Sequence, residues 1–168
     1  MEKLGGARHA SVCNAPAVLT WAEFEAAAPE IAALGAALLN RFQFVLVGTL
    51  TRDGAPRVNP CEAYVIDGHL LLNMMPRSLK ALDLLRDPRI YVHTPVISKD
   101  GVEGEFKLAG RAPTLTDDTL RGKLDDLFWA MIQWRPAPDS HYFEVLVERA
   151  AYHRYGEDEV RRVWPAKR

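Results

Sequence analysis

Two Asp-Gly pairs restrict the fold of this chain more than any other feature of its sequence. Asp53-Gly54 and Asp67-Gly68 each separate segments rich in aromatic and β-branched residues. Asp-Gly readily supplies the positive φ that a tight turn needs, so each pair predicts a hairpin turn. The sequence therefore predicts an antiparallel meander of three strands, at residues 42–51, 57–66 and 69–74.

Helical patterns precede and follow this meander. Thr20 and Glu23 form the Thr-x-x-Glu pattern of a capping box, which predicts a first helix, and Pro29 suits the first turn of a second. A third helix is predicted at residues 78–86, with Leu79, Leu82 and Leu85 on one face. A fourth helix begins with Asp117 and Asp118, carries the stripe Leu120, Leu124, Leu127 and Met131, and ends before Pro136.

Four more strands are predicted, at residues 89–96, 105–114, 142–155 and 160–164. At least six strands with helices inserted between them indicate an α+β protein, a small β-barrel of mainly antiparallel strands with peripheral helices. The length of 168 residues fits a single domain, residues 1–168, with residues 1–20 as a flexible arm and residues 42–164 as the barrel.

Charge and composition exclude several classes of partner. The formal net charge is -1, so no strong overall field recruits nucleic acid or an anionic membrane, and we expect neither as a partner. No apolar run is long enough to span a bilayer, and the start of the chain does not resemble a secretion signal. We expect a cytoplasmic protein in which Cys13 and Cys61 are reduced thiols, a disulfide between them being the less favoured alternative.

The common catalytic motifs are missing from the sequence. It contains no Gly-x-Ser-x-Gly elbow, no phosphate-binding loop ending in Gly-Lys-Ser/Thr and no His-Glu-x-x-His motif. The five histidines share no metal-ligand spacing, so no metal site is predicted.

The junction between the third strand and the third helix carries the clearest chemical signal. Arg77 and Lys80 stand at a helix N-terminus, where cations are unfavourable by about 0.3–1 kcal/mol each because the end of the helix is already positive. A bound phosphate would reverse this penalty, accepting from Ser78, the free backbone amides and both cations. The alternative interpretation is an exposed helix start with solvated side chains.

The second predicted strand is interrupted by Pro60, which cannot donate a hydrogen bond to a sheet. An edge, a bulge or a flat ligand lying against Asn59 and Pro60 would each explain the interruption. Strict alternation places Glu62 on the same face as Val58 and Tyr64, the apolar face, where a buried carboxylate would need a partner.

The ordered series of these features resembles the pyridoxamine 5′-phosphate oxidase-like family, the FMN-binding split barrels. Its elements are a strand, Asp-Gly, Pro-Arg-Val-x-Pro, a second Asp-Gly and then Ser-x-Lys-x-x-x-Leu-x-x-Asp-Pro-Arg, which here span residues 49–89. The resemblance extends over residues 42–111 and more loosely over the C-terminal strands.

The resemblance implies a homodimer of split barrels with a flavin in each of two clefts at the subunit boundary. Ser78, Lys80 and Arg77 would hold the FMN phosphate, and Val58, Asn59 and Pro60 would lie along the flavin ring. Asn73, Met74 and Met75 would contact the ring through main chain. Glu105 and Lys107 match positions that approach the cofactor in relatives, and His93 and Trp164 would face the cleft.

The sequence departs from the family pattern at two points. Leu79 stands where relatives often have a charge before the lysine, and the chain ends in Arg162-Val163-Trp164-Pro165 rather than the Arg-x-His type of motif of pyridoxamine phosphate oxidases. Oxidation of pyridoxamine phosphate itself is therefore not expected.

We expect a flavin-dependent oxidoreductase that acts on an unidentified small-molecule substrate, with a deazaflavin coenzyme as an alternative to FMN. No catalytic residue is assigned, and Tyr64, His93 and Glu62 remain candidate proton donors. The alternative from another class is a non-catalytic protein of the same fold that binds flavin or haem, with His93 as the axial ligand. An empty dimeric barrel is the third alternative.

Overall fold

The computed structural model describes residues 18–165, which form four helices and seven strands. In chain order they are α1 (Trp21–Ala27), α2 (Pro29–Phe42), β1 (Phe44–Leu50), β2 (Pro56–Ile66), β3 (His69–Met74), α3 (Leu79–Arg86), β4 (Arg89–His93), β5 (Glu105–Arg111), α4 (Asp118–Ile132), β6 (His141–Arg154) and β7 (Val160–Trp164). The strands pair in the order β3-β2-β1-β4-β5-β6-β7, and β3 also pairs with β6. The first six strands therefore close into an antiparallel barrel, and β7 adds to the outer edge of β6. The α+β barrel prediction is confirmed.

The predicted meander is present, with three boundaries shifted by one or two residues. The first strand begins at Phe44 rather than residue 42, because α2 continues through Phe42 and ends on Gln43, whose φ of 59° is left-handed. The backbone N–H of Gln43 still donates to the carbonyl of Leu39 at 2.8 Å, which closes the last helical turn.

The long strand β2 pairs with two different strands along its length. Its first part pairs with β1 in an unbroken register from Pro56 opposite Leu50 to Glu62 opposite Phe44. Its last part, from Ala63 to Ile66, pairs with β3. Within the described chain, Pro60 therefore has a strand on one side only, and the register contains no bulge there. Of the sequence-based alternatives, the sheet edge accommodates the missing N–H of Pro60.

The inward faces of the strands and the first two helices form one core. Phe106 and Leu108 on β5 point inward as the alternation of that strand predicted. Trp21 and Phe24 of α1 are buried against this layer, the Trp21 ring standing 6.1 Å from Phe106 in an edge-to-face arrangement. A second, smaller cluster lies under α4 and joins Leu120, Leu124 and Phe128 to Leu71 and Tyr142 of the barrel; those last two are also buried.

The three leucines of the short helix α3 lie on one face, as predicted, and that face points away from the core. Leu79, Leu82 and Leu85 are 59%, 44% and 51% exposed. Ala81, Asp83 and Leu84 are buried instead. The buried carboxylate of Asp83 accepts hydrogen bonds from Thr49, Arg57 and Arg86, and these contacts fix the rotation of the helix.

The end of the expected N-terminal arm is tied to the barrel. Leu19 and Val147 exchange two backbone hydrogen bonds of 3.0 and 2.7 Å, and Thr20 makes the predicted capping box with Glu23. The first 17 residues of the arm, with Cys13, lie outside the described residues. In residues 18–165, no helix combines the length and apolarity needed to cross a membrane.

Candidate functional site

A cleft of about 470 Å³ opens beside β2, the end of β3 and the start of α3. β2 and β3 supply its floor, α3 supplies one cation, and the end of α4 with the loop after it supplies the opposite wall. The lining residues are Phe44, Pro60, Cys61, Glu62, Asn73, Met74, Met75, Lys80, Ile132 and Trp134. Five of the twelve predicted cofactor-binding residues are among them: Pro60, Asn73, Met74, Met75 and Lys80.

Lys80 is the cation of this cleft and is half-buried in the first turn of α3. In residues 18–165, neither Lys80 nor Arg77 forms an ion pair with a carboxylate. The N-cap residue Ser78 makes no side-chain hydrogen bond to the helix, whereas Asp117 caps α4 through two backbone amides. The start of α3 thus keeps both its amide donors and an unneutralised ammonium, the combination that favours an anion.

Asn73 is the second unusual group of the cleft. It lies near the end of β3, opposite Tyr142 of β6, and is only 8% exposed. Its amide nitrogen Nδ2 is buried without a hydrogen-bond partner in the described chain. Because an orphaned buried donor costs about 1–3 kcal/mol, this amide is suited to an acceptor supplied by a ligand in the cleft.

Cys61 lies in the floor of the cleft as a buried thiol. Burial raises its pKa to about 12, while the charge of Lys80 lowers it and that of Glu62 raises it. Its Sγ donates to the backbone carbonyl of Asn73 at 3.4 Å. Cys61 is therefore a neutral packing group rather than a nucleophile. The alternative of a disulfide bond between Cys61 and Cys13 stays a prediction, because Cys13 lies outside the described residues.

Glu62 lies on the same face of β2 as Val58, as the alternation predicted, and at Glu62 that face is exposed. On β2 the residues that face the core are Cys61 and Ala63, whereas Val58, Pro60 and Glu62 face outward. The strand changes its pairing partner from β1 to β3 here, and its outward face forms a wall of the cleft. Partial burial in that wall raises the pKa of Glu62, and burial together with the neighbouring Glu62 charge raises the pKa of Tyr64. Both are candidates for groups that hold a proton.

A second cleft of about 490 Å³ lies on the far side of the barrel and contains Lys107 and Trp164. Its other described lining residues include Tyr91, Ala109 and Val163. Glu105 lines an adjoining cavity of about 350 Å³ with Lys107. A single chain thus separates the predicted cofactor-binding residues into two groups, Lys80 with Asn73 in one cleft and Lys107 with Trp164 in the other.

His93 stands beside the second group with both ring nitrogens occupied. Nδ1 contacts the carbonyl oxygen of Thr94, and Nε2 lies 3.2 Å from a carboxylate oxygen of Glu105, whose other oxygen accepts from Lys107. The ring is therefore held in the wall of the barrel. In the described part of the chain, no group of three or more histidine, cysteine, aspartate or glutamate side chains is arranged to hold a metal ion.

Some predicted cofactor-binding residues lie near the first cleft but do not line it, and some lining residues were not predicted. Val58, Asn59, Arg77 and Ser78 adjoin the first cleft along the chain without lining it. Sequence reasoning missed Phe44, Ile132 and Trp134, which come from β1 and from the end of α4. The predicted end of α4 before Pro136 located Trp134 at a helix terminus, but nothing in the sequence indicated that this terminus packs over β2.

Comparisons with known proteins give one sequence family and several similar folds. The family model described as pyridoxamine 5′-phosphate oxidase matches residues 33–154. No curated protein sequence matches the chain significantly. A heme binding protein from Mycobacterium smegmatis has a similar structure, with a TM-score of 0.64 and 18% identity over 79% of this chain. This chain spans 57% of the length of that protein.

Two further solved structures carry names from the same family. A putative pyridoxamine 5′-phosphate oxidase from Listeria innocua matches with a TM-score of 0.58 and 15% identity, over 77% of this chain and 94% of its own. A protein of the pyridoxinephosphate oxidase family from Clostridium acetobutylicum matches with a TM-score of 0.57 and 18% identity, over 76% and 90%. At these identities the structural similarity establishes a shared fold.

Proposed function

Because this chain belongs to the pyridoxamine 5′-phosphate oxidase family through residues 33–154, we propose that it is a flavin-dependent oxidoreductase. FMN is the proposed cofactor, with a deazaflavin coenzyme as the alternative, and the substrate is an unidentified small molecule. The observation that carries the proposal is the pairing of Lys80, a cation without an ion-pair partner among residues 18–165, with the buried orphan amide of Asn73 in one cleft.

The residues of the first cleft fit a flat ring that carries a phosphate. Lys80 and the uncapped start of α3 offer cationic and amide donors to a dianion. Asn73 offers a donor to a ring oxygen or nitrogen, and Pro60 and the exposed Met75 offer apolar surface to the ring faces. Each of these features has an unmet requirement in the described chain that a phosphorylated ring compound would satisfy.

The protein residues in this proposal bind, orient and exclude water. Bound FMN would supply the hydride or electron transfer chemistry. Lys80 anchors the phosphate, Asn73 fixes the ring by one hydrogen bond, and Met75 and Trp134 shield the ring from solvent. Glu62 in the cleft and Tyr64 in the adjoining space are the groups that can exchange a proton with a bound substrate.

A homodimer is part of the proposal, with the second cleft of one subunit facing the first cleft of its partner. Val58, Gly48 and Tyr91 are cross-strand neighbours on the outside of the barrel, and Val58 and Tyr91 are 62% and 47% exposed. An exposed apolar row of this kind suits burial against a second copy. Lys107 and Trp164 would then approach the cofactor from the partner subunit.

Binding of haem without catalysis is the second candidate function, and the structural similarity to a heme binding protein from Mycobacterium smegmatis favours it. The Nε2 of His93 lies against Glu105, and that contact would have to break before this nitrogen could serve as the expected axial ligand, whereas the Nδ1 contact with the carbonyl of Thr94 could remain. We therefore place flavin first.

Reconstitution of the purified chain with FMN, a deazaflavin and haem, followed by gel filtration and absorption spectroscopy, tests the proposal. We expect about one FMN or deazaflavin per chain to remain bound, in a dimer, and to be reduced by a suitable substrate. Retention of haem alone, with a Soret band and no flavin band, would instead establish the second function.

Replacing Asn73 by alanine is expected to weaken FMN binding by about three- to tenfold, the loss of one neutral hydrogen bond worth about 0.5–1.5 kcal/mol. The free energy of unfolding of the ligand-free chain should change little, because removing an orphaned donor offsets the smaller buried surface. Fluorescence titration and urea unfolding measure the two effects. A large loss of stability with unchanged FMN affinity would show that the amide is structural.

A further inference from the structure

The first cleft continues beneath α4 into a smaller chamber of about 220 Å³. Phe44, Glu62 and Ile132 line both spaces and form the boundary between them. The chamber is closed by Phe42, Gln43, Tyr64, Phe128 and Met131. It is therefore a side pocket of the candidate site, reached past Glu62.

A series of edge-to-face aromatic contacts joins the wall of this pocket, at Tyr64 and Phe128, to the wall of the first cleft, at Trp134. The ring centroids of Tyr64 and Phe128 lie 5.6 Å apart, and those of Phe128 and Trp134 lie 5.5 Å apart. Phe128 is buried, so the series is anchored in the small cluster under α4. Tyr64 and Trp134 remain partly accessible and present their rings to the joined space.

Glu62 and Lys80 are the charged residues among the described residues that line the two spaces. Glu62 forms no ion pair in residues 18–165. Both charges act on Cys61, which lies in the floor between them, in opposite directions. The space is therefore bipolar, with a cationic end at α3 and an anionic end at the mouth of the side pocket.

We propose that the side pocket under α4 binds the substrate, and that this substrate is a small aromatic or apolar molecule with a basic nitrogen held by Glu62. The inference rests on the proposed function, in which Lys80 takes the cofactor phosphate at the other end. The aromatic faces of Tyr64 and Trp134 stabilise a cation as well as apolar surface. A phosphate or carboxylate group in the same position is disfavoured, because the negative charge of Glu62 would repel it.

Three ring compounds of similar shape test this assignment: benzylamine, benzyl alcohol and benzoate. Isothermal titration is carried out with the FMN-loaded protein and, separately, with the protein before FMN is added. We expect benzylamine to bind at least tenfold more tightly than benzoate, with benzyl alcohol between them. Glu62→Gln should weaken benzylamine about tenfold, leave benzyl alcohol within about twofold and remove the discrimination against benzoate.

Glu25→Gln is the matched control, because Glu25 is an exposed carboxylate on α1 away from both spaces. It should bind all three compounds as the original chain does. Tighter binding of benzoate than benzylamine, or an equal effect of Glu62→Gln on all three compounds, would overturn the assignment. If the protein takes up no FMN but still selects benzylamine through Glu62, the binding pocket stands and the flavin proposal fails. If the protein takes up FMN normally but does not select benzylamine through Glu62, the flavin proposal stands and the binding pocket fails.

Discussion

Replacing Asp83 by asparagine is expected to lower the free energy of unfolding by about 3 kcal/mol, the lower end of the range for breaking a buried ion pair. Asp83 is 4% exposed, and its carboxylate accepts from Thr49 Oγ1 at 2.9 Å, Arg57 Nε at 2.7 Å and Arg86 Nη2 at 3.1 Å. Asparagine keeps the shape but leaves two guanidinium groups without their counter-charge. The side chains of Arg57 and Arg86 reach solvent at 28% and 38% exposure, which limits the loss.

Because Asp83 is ionisable, we also expect its contribution to stability to depend on pH. Burial of Asp83 by itself raises its pKa, but hydrogen bonds from Arg57, Thr49 and Arg86 outweigh burial and hold the pKa below its usual 3.8. A carboxylate whose pKa is lowered by folding stabilises the protein fully above the unfolded value and loses that effect as the pH falls through the folded value. The difference between the original chain and Asp83→Asn should therefore be constant from about pH 7 to about pH 5 and shrink below 3.8.

Urea unfolding across this pH range measures both effects. The matched control is Asp87→Asn, which removes another aspartate paired with an arginine, in this case the exposed Arg89. Exposed pairs contribute little to stability, so this variant should remain close to the original chain. A loss for Asp83→Asn no larger than that of the control would mean that the Asp83 cluster does not anchor α3.

Local signals were sufficient to predict the barrel. The two Asp-Gly turns at residues 53–54 and 67–68, the alternation of residues 105–111 and the capping residues of α1 and α4 all act within a few residues of chain. These are the interactions that sequence patterns describe well. β7 was predicted with its observed bounds for the same reason.

These local patterns could not predict contacts between residues that are far apart in the chain. The rotation of α3 depends on Asp83 reaching Thr49, 34 residues earlier, and Arg57, 26 residues earlier. The exposure of Glu62 could not be predicted from alternation, because β2 pairs with β1 and then with β3, and its outward face borders a cleft where it changes partner. Neither event leaves a periodic signature in the sequence.

The candidate site was predicted in part for the same physical reason. Asn73 to Lys80 is one continuous junction, so its sequence alone could suggest an anion site. The wall made by Phe44, Ile132 and Trp134 requires three elements to meet in space, and no local pattern reports that meeting. The orphaned state of the Asn73 amide is likewise visible only after the strands around it are in place.

Lys80→Ala is expected to weaken FMN binding by about 10- to 150-fold, because a hydrogen bond to a charged group contributes about 1.5–3 kcal/mol and each 1.4 kcal/mol is a factor of ten. Riboflavin, which has the same ring and no phosphate, should bind equally well before and after the substitution. Fluorescence titration of both ligands therefore separates a phosphate contact from a general disturbance of the cleft.

Lys99→Ala is the matched control, since Lys99 is an exposed lysine in the loop between β4 and β5. It should leave both affinities unchanged. Equal losses of FMN and riboflavin in Lys80→Ala would show that Lys80 shapes the cleft without binding the phosphate. Unchanged affinity for both would remove the anion site, because the uncapped start of α3 has no other cation that lines the described cleft.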